Sequence, residues 1–253
     1  MTGPGIREKC FTRLPRRLMR TMGDALGIPD ARKYDLGREL LKWIAIVTMT
    51  VDHIGLLFFP QYPIFRVIGR IAFPLFAYLL VLGTESTRNM RGYFNRLLFF
   101  ALLSQVPYSL ANGVEPWEEL NIFFTLSLGL IMIYFIEKNS VAFVIPLAAS
   151  IIVPVDYGVY GAATVLFFYL LRRNWKTGAS LFVLVNLVLL IRDSWYQPFA
   201  VLALPLILLC DGGRYPFSGV GEQTRSTLFR KYFFYAYYPL HLMVLWGLKM
   251  FIL

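Results

Sequence analysis

The chain has 253 residues, 57% hydrophobic and 16% charged, with a mean hydropathy of +0.58 and a formal net charge of +10. Soluble domains average about 45–50% apolar and about 25% charged residues, so the composition excludes an ordinary soluble enzyme and points to an all-α, polytopic transmembrane helical bundle. Nor does the charge indicate nucleic acid: nine of the 25 basic residues lie at or before Arg38 and most others sit in alternate loops, the positive-inside pattern of a membrane protein.

Residues 1–38 form a basic tail broken by Gly and Pro, without the apolar core of a secretory signal. Ile6, Cys10, Leu14, Leu18 and Met22 recur every four residues among arginines, the pattern of a short amphipathic helix on an anionic cytoplasmic leaflet; Pro15 favours a disordered tail equally. Residues 39–253 then read as one transmembrane domain. Apolar segments fall at 40–59, 64–83, 94–111, 121–136, 141–153, 159–171, 179–191, 196–210 and 232–252, giving about nine membrane segments. Those at 141–153 and 159–171, flanking Pro146 and Pro154, are the weakest and read as a broken or re-entrant hairpin. The loop at 211–231 is Gly- and Ser-rich, as flexible loops are.

Loop charges set the expected orientation. After the basic tail, the 60–63 turn is uncharged. Arg88, Arg91 and Arg96 follow, then Glu115, Glu118 and Glu119, then Lys138, then Asp156. Arg172, Arg173 and Lys176 precede the Arg192–Asp193 pair, and Arg214, Arg225, Arg230 and Lys231 occupy the last long loop. This alternation predicts a multi-pass protein of the cell (inner) membrane with its N-terminus cytoplasmic and its C-terminus outside.

The first two apolar segments carry Lys42, Asp52, His53, Arg66 and Arg70, and ionisable groups kept in hydrocarbon are costly enough to imply use. Lys42 and His53, eleven residues apart, share a helix face about 16 Å apart along the axis. Arg66 and Arg70, four apart, share another beyond the turn Pro60-Gln61-Tyr62-Pro63. Polar groups of later segments gather towards the outer side: Ser104 and Gln105, Asn121 and Thr125, Asp156, Tyr157 and Tyr160, with His241 in the last helix. Such a set lines a water-reachable pocket; for Gln105 and Asn121, helix capping or a helix–helix hydrogen bond is the equal alternative.

Histidine titrates near pH ~6.5 and suits a general base, with arginines or amides stabilising a developing oxyanion. Asp52 points about 100° away from His53, so it either pairs with Arg66 or Arg70 or holds His53 through a neighbour. No G-x-S-x-G or H-E-x-x-H motif is present, and Cys10 and Cys210 suggest neither a nucleophile, a disulfide framework nor a metal site. Lys42 with Arg88, Arg91, Arg96, Arg172, Arg173 and Lys231 forms a cytoplasmic set of phosphate-holding cations, and an extended pantetheine arm would span the gap from Lys42 to His53.

The runs KWIAIVTMTVDHIG, FRVIGRIAFPLFAYLLVLGTESTRN, SQVPYSL with LNIFFTLSLG, DYGVYG and KYFFYAYYPLHL resemble the TraX family over residues 40–252. That family is named for an enzyme that N-acetylates the pilin of conjugative plasmids. The Lys42–x10–His53 spacing is also similar to the basic-residue–x10–His motif of integral-membrane O-acyltransferases. The resemblance implies acetyl transfer from cytoplasmic acetyl-CoA to an outer amine or hydroxyl on a peptide N-terminus, a glycan or a small molecule. By that resemblance Lys42 contacts the coenzyme, His53 is the base with Asp52 beside it, and Arg66 and Arg70 line the pocket. A rival reading is a small proton-coupled transporter or flippase with Asp52, His53 and His241 as its relay; it expects inverted repeats, which the sequence lacks.

Overall fold

A computed structural model describes residues 36–191, 195–210 and 228–252, and these are helical throughout apart from short connections and one isolated bridge. The amphipathic-helix reading of the tail and the flexible reading of 211–231 concern residues that lie almost wholly outside this range.

The first helix, α1 (Leu36–Phe58), opens with Glu39, an acidic residue suited to the positive end of the helix dipole, and stops before Pro60. The second apolar segment is split into α2 (Ile64–Gly69) and α3 (Ala72–Ser86). Pro74 supplies the physical reason: it has no N–H for the carbonyl of Arg70, and the chain turns at Arg70–Ile71. Next come α4 (Met90–Asn112), capped by the Asn89 side chain, and α5 (Ile122–Glu137), capped by Asn121. A 3-10 turn (Val141–Phe143) leads into α6 (Val144–Ile152), followed by α7 (Gly158–Arg173) and α8 (Trp175–Ile191). A second 3-10 stretch (Gln197–Leu202) leads into α9 (Ala203–Cys210), and α10 (Leu228–Ile252) closes the chain.

Helix α3 is the centre of the packing. It touches α1, α5, α7 and α9, and its buried residues run from Ala72 to Leu82 on almost every side, as expected of a helix that is apolar all round. Tyr78 meets Phe168 of α7 edge-on at 5.9 Å. Helices α1 and α10 run parallel, in register from Trp43 against Phe233 and Phe234, through Thr50 against Tyr237, to His53 against His241.

Helix α4 is turned inside out relative to a water-soluble helix. Phe99, Leu102, Leu103, Val106 and Leu110 form an exposed apolar stripe, while Ser104, Gln105 and Ser109 are buried. On α10, Leu240, Met243, Val244, Leu248 and Phe251 are exposed in the same way. In water such surface costs about 25 cal/mol per Å² relative to burial, so this is the surface of a protein that lies in lipid.

The expectation of about nine membrane segments is met only in part. Every apolar segment is helical, but among the described residues only Gly37–Phe58 and Ile64–Ser86 are long and apolar enough to cross a membrane by length and composition. Ile122–Glu137, Val141–Ile152, Trp175–Leu190 and Gln197–Cys210 are apolar but shorter. The nine residues of α6 rise only about 14 Å against a hydrocarbon core of about 30 Å.

Candidate active site

Asp52 on α1 faces α2 across an unusually close contact. A Cβ on Gly69 would lie 1.9 Å from the Asp52 carboxylate, and one on Gly55 would lie 2.1 Å from Phe65, so only glycine at both places lets the helices meet. Arg66 then donates from Nη1 to Asp52 Oδ2 at 2.7 Å, and Arg70 brings Nη2 to 3.8 Å from Oδ1. Of the partners left open by the sequence, Asp52 takes both arginines. Arg70 also donates from Nη1 to Gln197 Oε1 at 3.1 Å, and its guanidinium lies over the rings of Tyr157 (5.6 Å) and Tyr196 (5.2 Å). Asp52 Oδ1 and Arg70 Nε are buried and have no hydrogen-bond partner among the described residues. Two guanidinium groups against one carboxylate leave this cluster an excess positive charge, with donor capacity to spare.

The other face of α1 carries His53, half-buried, whose Nδ1 lies 3.0 Å from Nε2 of the buried His241 on α10. His241 Nδ1 is 2.9 Å from the Tyr237 carbonyl oxygen, and its ring stacks on that of Tyr237 with centroids 5.0 Å apart. The Tyr237 hydroxyl in turn bonds the Thr50 hydroxyl at 2.8 Å, tying the two helices together one turn before the imidazoles. Lys42 lies on the same seam, its Nζ 4.9 Å from the centre of the Phe234 ring, so Lys42 and His53 do share a face and both meet α10.

The remaining polar residues bond to neighbouring backbone and side chains. Gln105 donates to the Pro116 and Glu119 carbonyls and accepts from Asn121 Nδ2 (2.8 Å), while Asn121 also donates to the Ala101 carbonyl and caps α5. Asn121 is thus a helix cap and Gln105 its cross-helix hydrogen-bond partner, and together they tie the 113–121 loop to the helices. Thr125 donates to the backbone oxygen of Asp156, whose loop pairs with this one through the Leu120–Val155 bridge. Asp156 is half-buried; burial first, then the nearby Glu119, pushes its carboxyl up to about 7. Tyr157 takes φ +63°, a left-handed conformation that bulky residues rarely adopt, and is held by stacking on Phe73 at 4.2 Å. Tyr160 donates to Asn186 Oδ1 at 3.2 Å.

The expected phosphate-holding cations gather mainly at the end where α3, α5 and α7 terminate and α4 begins. Three are already ion-paired: Lys42 with Glu39 at 2.7 Å, Arg172 with Glu85 at 2.9 Å and Arg173 with Glu137 at 2.8 Å. Arg88 and Arg91 are exposed, and Arg96 lies over the Tyr93 ring at 5.5 Å. The side chain of Lys231 lies outside the described residues.

Sequence reasoning missed Gln197 and Tyr196, which complete the Arg70 shell, and Thr50 and Tyr237, which brace the histidine pair. The signals were faint. Gln197 is a lone amide beside Pro198 in an apolar run, and Asn186, fully buried, is the one polar residue in VLVNLVLL.

The family described as TraX protein matches residues 37–249. A protein of Dichelobacter nodosus named "Probable fimbrial assembly protein FimC, serogroup H1" is 31% identical over 248 residues, covering 88% of this chain and 99% of its own length. Protein TraX of Escherichia coli is 35% identical over 106 residues, 41% of each chain. The Rickettsia prowazekii protein RP591, described as uncharacterized, is 28% identical over 106 residues, 42% of this chain and 40% of its own. No solved structure matches.

Proposed function

The chain belongs to the TraX family, and from that premise we propose that it is a multi-pass acyltransferase of the inner membrane that moves acetyl from cytoplasmic acetyl-CoA to an outer acceptor. The observation that carries the reading is the imidazole pair of His53 and His241 beside an arginine-bridged carboxylate, all on apolar helices. Groups so costly to keep in an apolar setting are retained for chemistry.

In this reading His53 takes the proton of the acceptor amine or hydroxyl as the acceptor atom bonds to the acetyl carbonyl carbon. The carbonyl oxygen becomes an oxyanion, which the excess charge of Arg66 and Arg70 stabilises. The carbonyl re-forms as the C–S bond breaks, and the leaving thiolate recovers the proton from the imidazolium, giving acetylated acceptor and CoA. Asp52 keeps both guanidinium groups in place. Lys42 lies about 16 Å along the same seam, one pantetheine length away, and serves the phosphates. Arg172 and Arg173 join it only by releasing Glu85 and Glu137, whereas exposed Arg91 has no such partner to release among the described residues. The fimbrial name of one relative, with the family's pilin chemistry, favours a peptide N-terminus of a surface fibre subunit as acceptor.

The transporter reading draws less support, because no hydrogen bond joins Asp52 to His53 among the described residues and a relay through Asp52, His53 and His241 is broken at its first step.

Purified protein incubated with radiolabelled acetyl-CoA, with and without extract of fimbriated membranes, tests the proposal. Label should pass to a membrane-extract component only when the protein is present; no transfer to protein, glycan or small-molecule fractions contradicts it.

A further inference from the structure

We propose that His241 is a positioning residue: it fixes His53 in the tautomer that carries its proton on Nδ1 and leaves Nε2 free as the basic atom. The inference deepens the acyltransferase reading and rests on it for its catalytic consequence, but not for the tautomer itself.

The argument starts from the Tyr237 carbonyl. A carbonyl oxygen only accepts, so His241 Nδ1, 2.9 Å away, must carry the hydrogen of that bond. A neutral imidazole has one N–H, so His241 Nε2 then holds a lone pair. His53 Nδ1 sits 3.0 Å from that lone pair, and the contact is a hydrogen bond only if His53 Nδ1 is the donor. The proton is thereby excluded from His53 Nε2, the nitrogen left to face an acceptor. A backbone carbonyl thus sets the tautomer of two rings in series, as a buried carboxylate does for the histidine of a Ser-His-Asp triad.

The same chain gives the abstracted proton a destination. When His53 Nε2 takes the acceptor's proton, the imidazolium donates more strongly through Nδ1 to His241 Nε2. Full transfer leaves His53 neutral and His241 doubly protonated, with its Nδ1–H still on the Tyr237 oxygen. The stacked Tyr237 ring and the Thr50–Tyr237 hydroxyl contact hold this geometry across two helices rather than within one.

The chain has two histidines, so selective ¹⁵N-histidine labelling of the full-length protein in detergent micelles yields four ring nitrogens. In neutral wild-type protein both rings should show protonated Nδ1 and unprotonated Nε2 by long-range ¹H–¹⁵N correlation. His241→Gln leaves His53 as the only labelled residue and keeps a carbonyl oxygen at about the reach of Nε2, so His53 should remain the Nδ1–H form. His241→Leu removes that acceptor, and His53 should shift towards the Nε2–H tautomer; an Nδ1–H His53 in this variant would mean that the Met49 carbonyl, which also accepts from the His53 ring, sets the tautomer, and would overturn the proposal. In acetyl transfer, kcat should fall at least tenfold in His241→Leu, by analogy with the cost of about 10⁴ when a triad histidine is held in the wrong tautomer, and His241→Gln should recover most of it, with KM for acetyl-CoA unchanged in both. An Nε2–H His53 in the wild-type spectrum overturns the proposal without any variant or assay. The expected tautomers in a protein that transfers no acetyl group would uphold this inference and contradict the acyltransferase reading.

Discussion

Asp52 and His53 are neighbours in sequence that serve two separate networks, because about 100° of helical rotation sends one to the arginines of α2 and the other to α10. At this scale the sequence is most informative where a side chain is expensive: Asp52, His53, Arg66 and Arg70 stand out in apolar runs, and the structure sets the two arginines on Asp52 and His241 on His53. It is least informative where a cheap residue acts through its neighbours. Gly69 reveals its role only once the Asp52 carboxylate is against it, and Glu39 becomes the partner of Lys42 only on a folded helix. Asp156 allows a test in the titration range. Its folded value of about 7 lies above the roughly 3.9 of an unfolded aspartate, so the folded state holds a proton that the unfolded chain has lost. The resulting stabilisation is complete below about pH 4 and disappears as pH rises through about 7. Thermal unfolding in detergent should therefore show wild type losing stability between about pH 4 and pH 7 relative to Asp156→Asn, which keeps a neutral side chain. Parallel curves for the two proteins would contradict this account of Asp156.

At the scale of elements, every expected apolar segment corresponds to helix, because hydrophobic runs of this length have no other way to satisfy their backbone in lipid. Where those helices break was harder to see. The split between α2 and α3 follows from Pro74, four residues after Arg70, and it places Arg70 at the turn, within reach of Gln197. The parallel pairing of α1 with α10 was not legible at all, since nothing in either segment names its partner. That pairing sharpens the expectation for Lys42. If Lys42 holds a phosphate, Lys42→Ala should weaken acetyl-CoA binding about tenfold, the scale of one charge-assisted contact, and Lys42→Arg should retain much of the affinity. Glu39→Gln should tighten binding, because it frees the ammonium from its 2.7 Å partner. Calorimetry in detergent decides: equal affinity across wild type, Lys42→Ala and Glu39→Gln removes Lys42 from the coenzyme site.

For the molecule as a whole, the outward apolar stripes on α4 and α10 suit lipid surroundings, while among the described residues only two helices reach membrane length and apolarity. The proposed orientation rests on the alternating loop charges and gains a geometric constraint from the parallel run of α1 and α10, which sends the start of one and the end of the other to opposite faces. Trp117 and Asn174 are both exposed and lie at opposite ends of their helices' paths. Single cysteines at these positions should react with an impermeant reagent from outside at 117, and at 174 only after permeabilisation. The reverse pattern would put the acceptor on the wrong side.

The central claim is that His53 removes the acceptor's proton at the end of a carbonyl–imidazole–imidazole chain. It is tested most directly by steady-state acetyl transfer with wild type and His53→Ala on the same acceptor, alongside acetyl-CoA binding to each. The account predicts that His53→Ala lowers kcat by about 10²–10⁴, the usual range for loss of a general base, while coenzyme affinity stays close to wild type. A His53→Ala protein that turns over at the wild-type rate would contradict the mechanism.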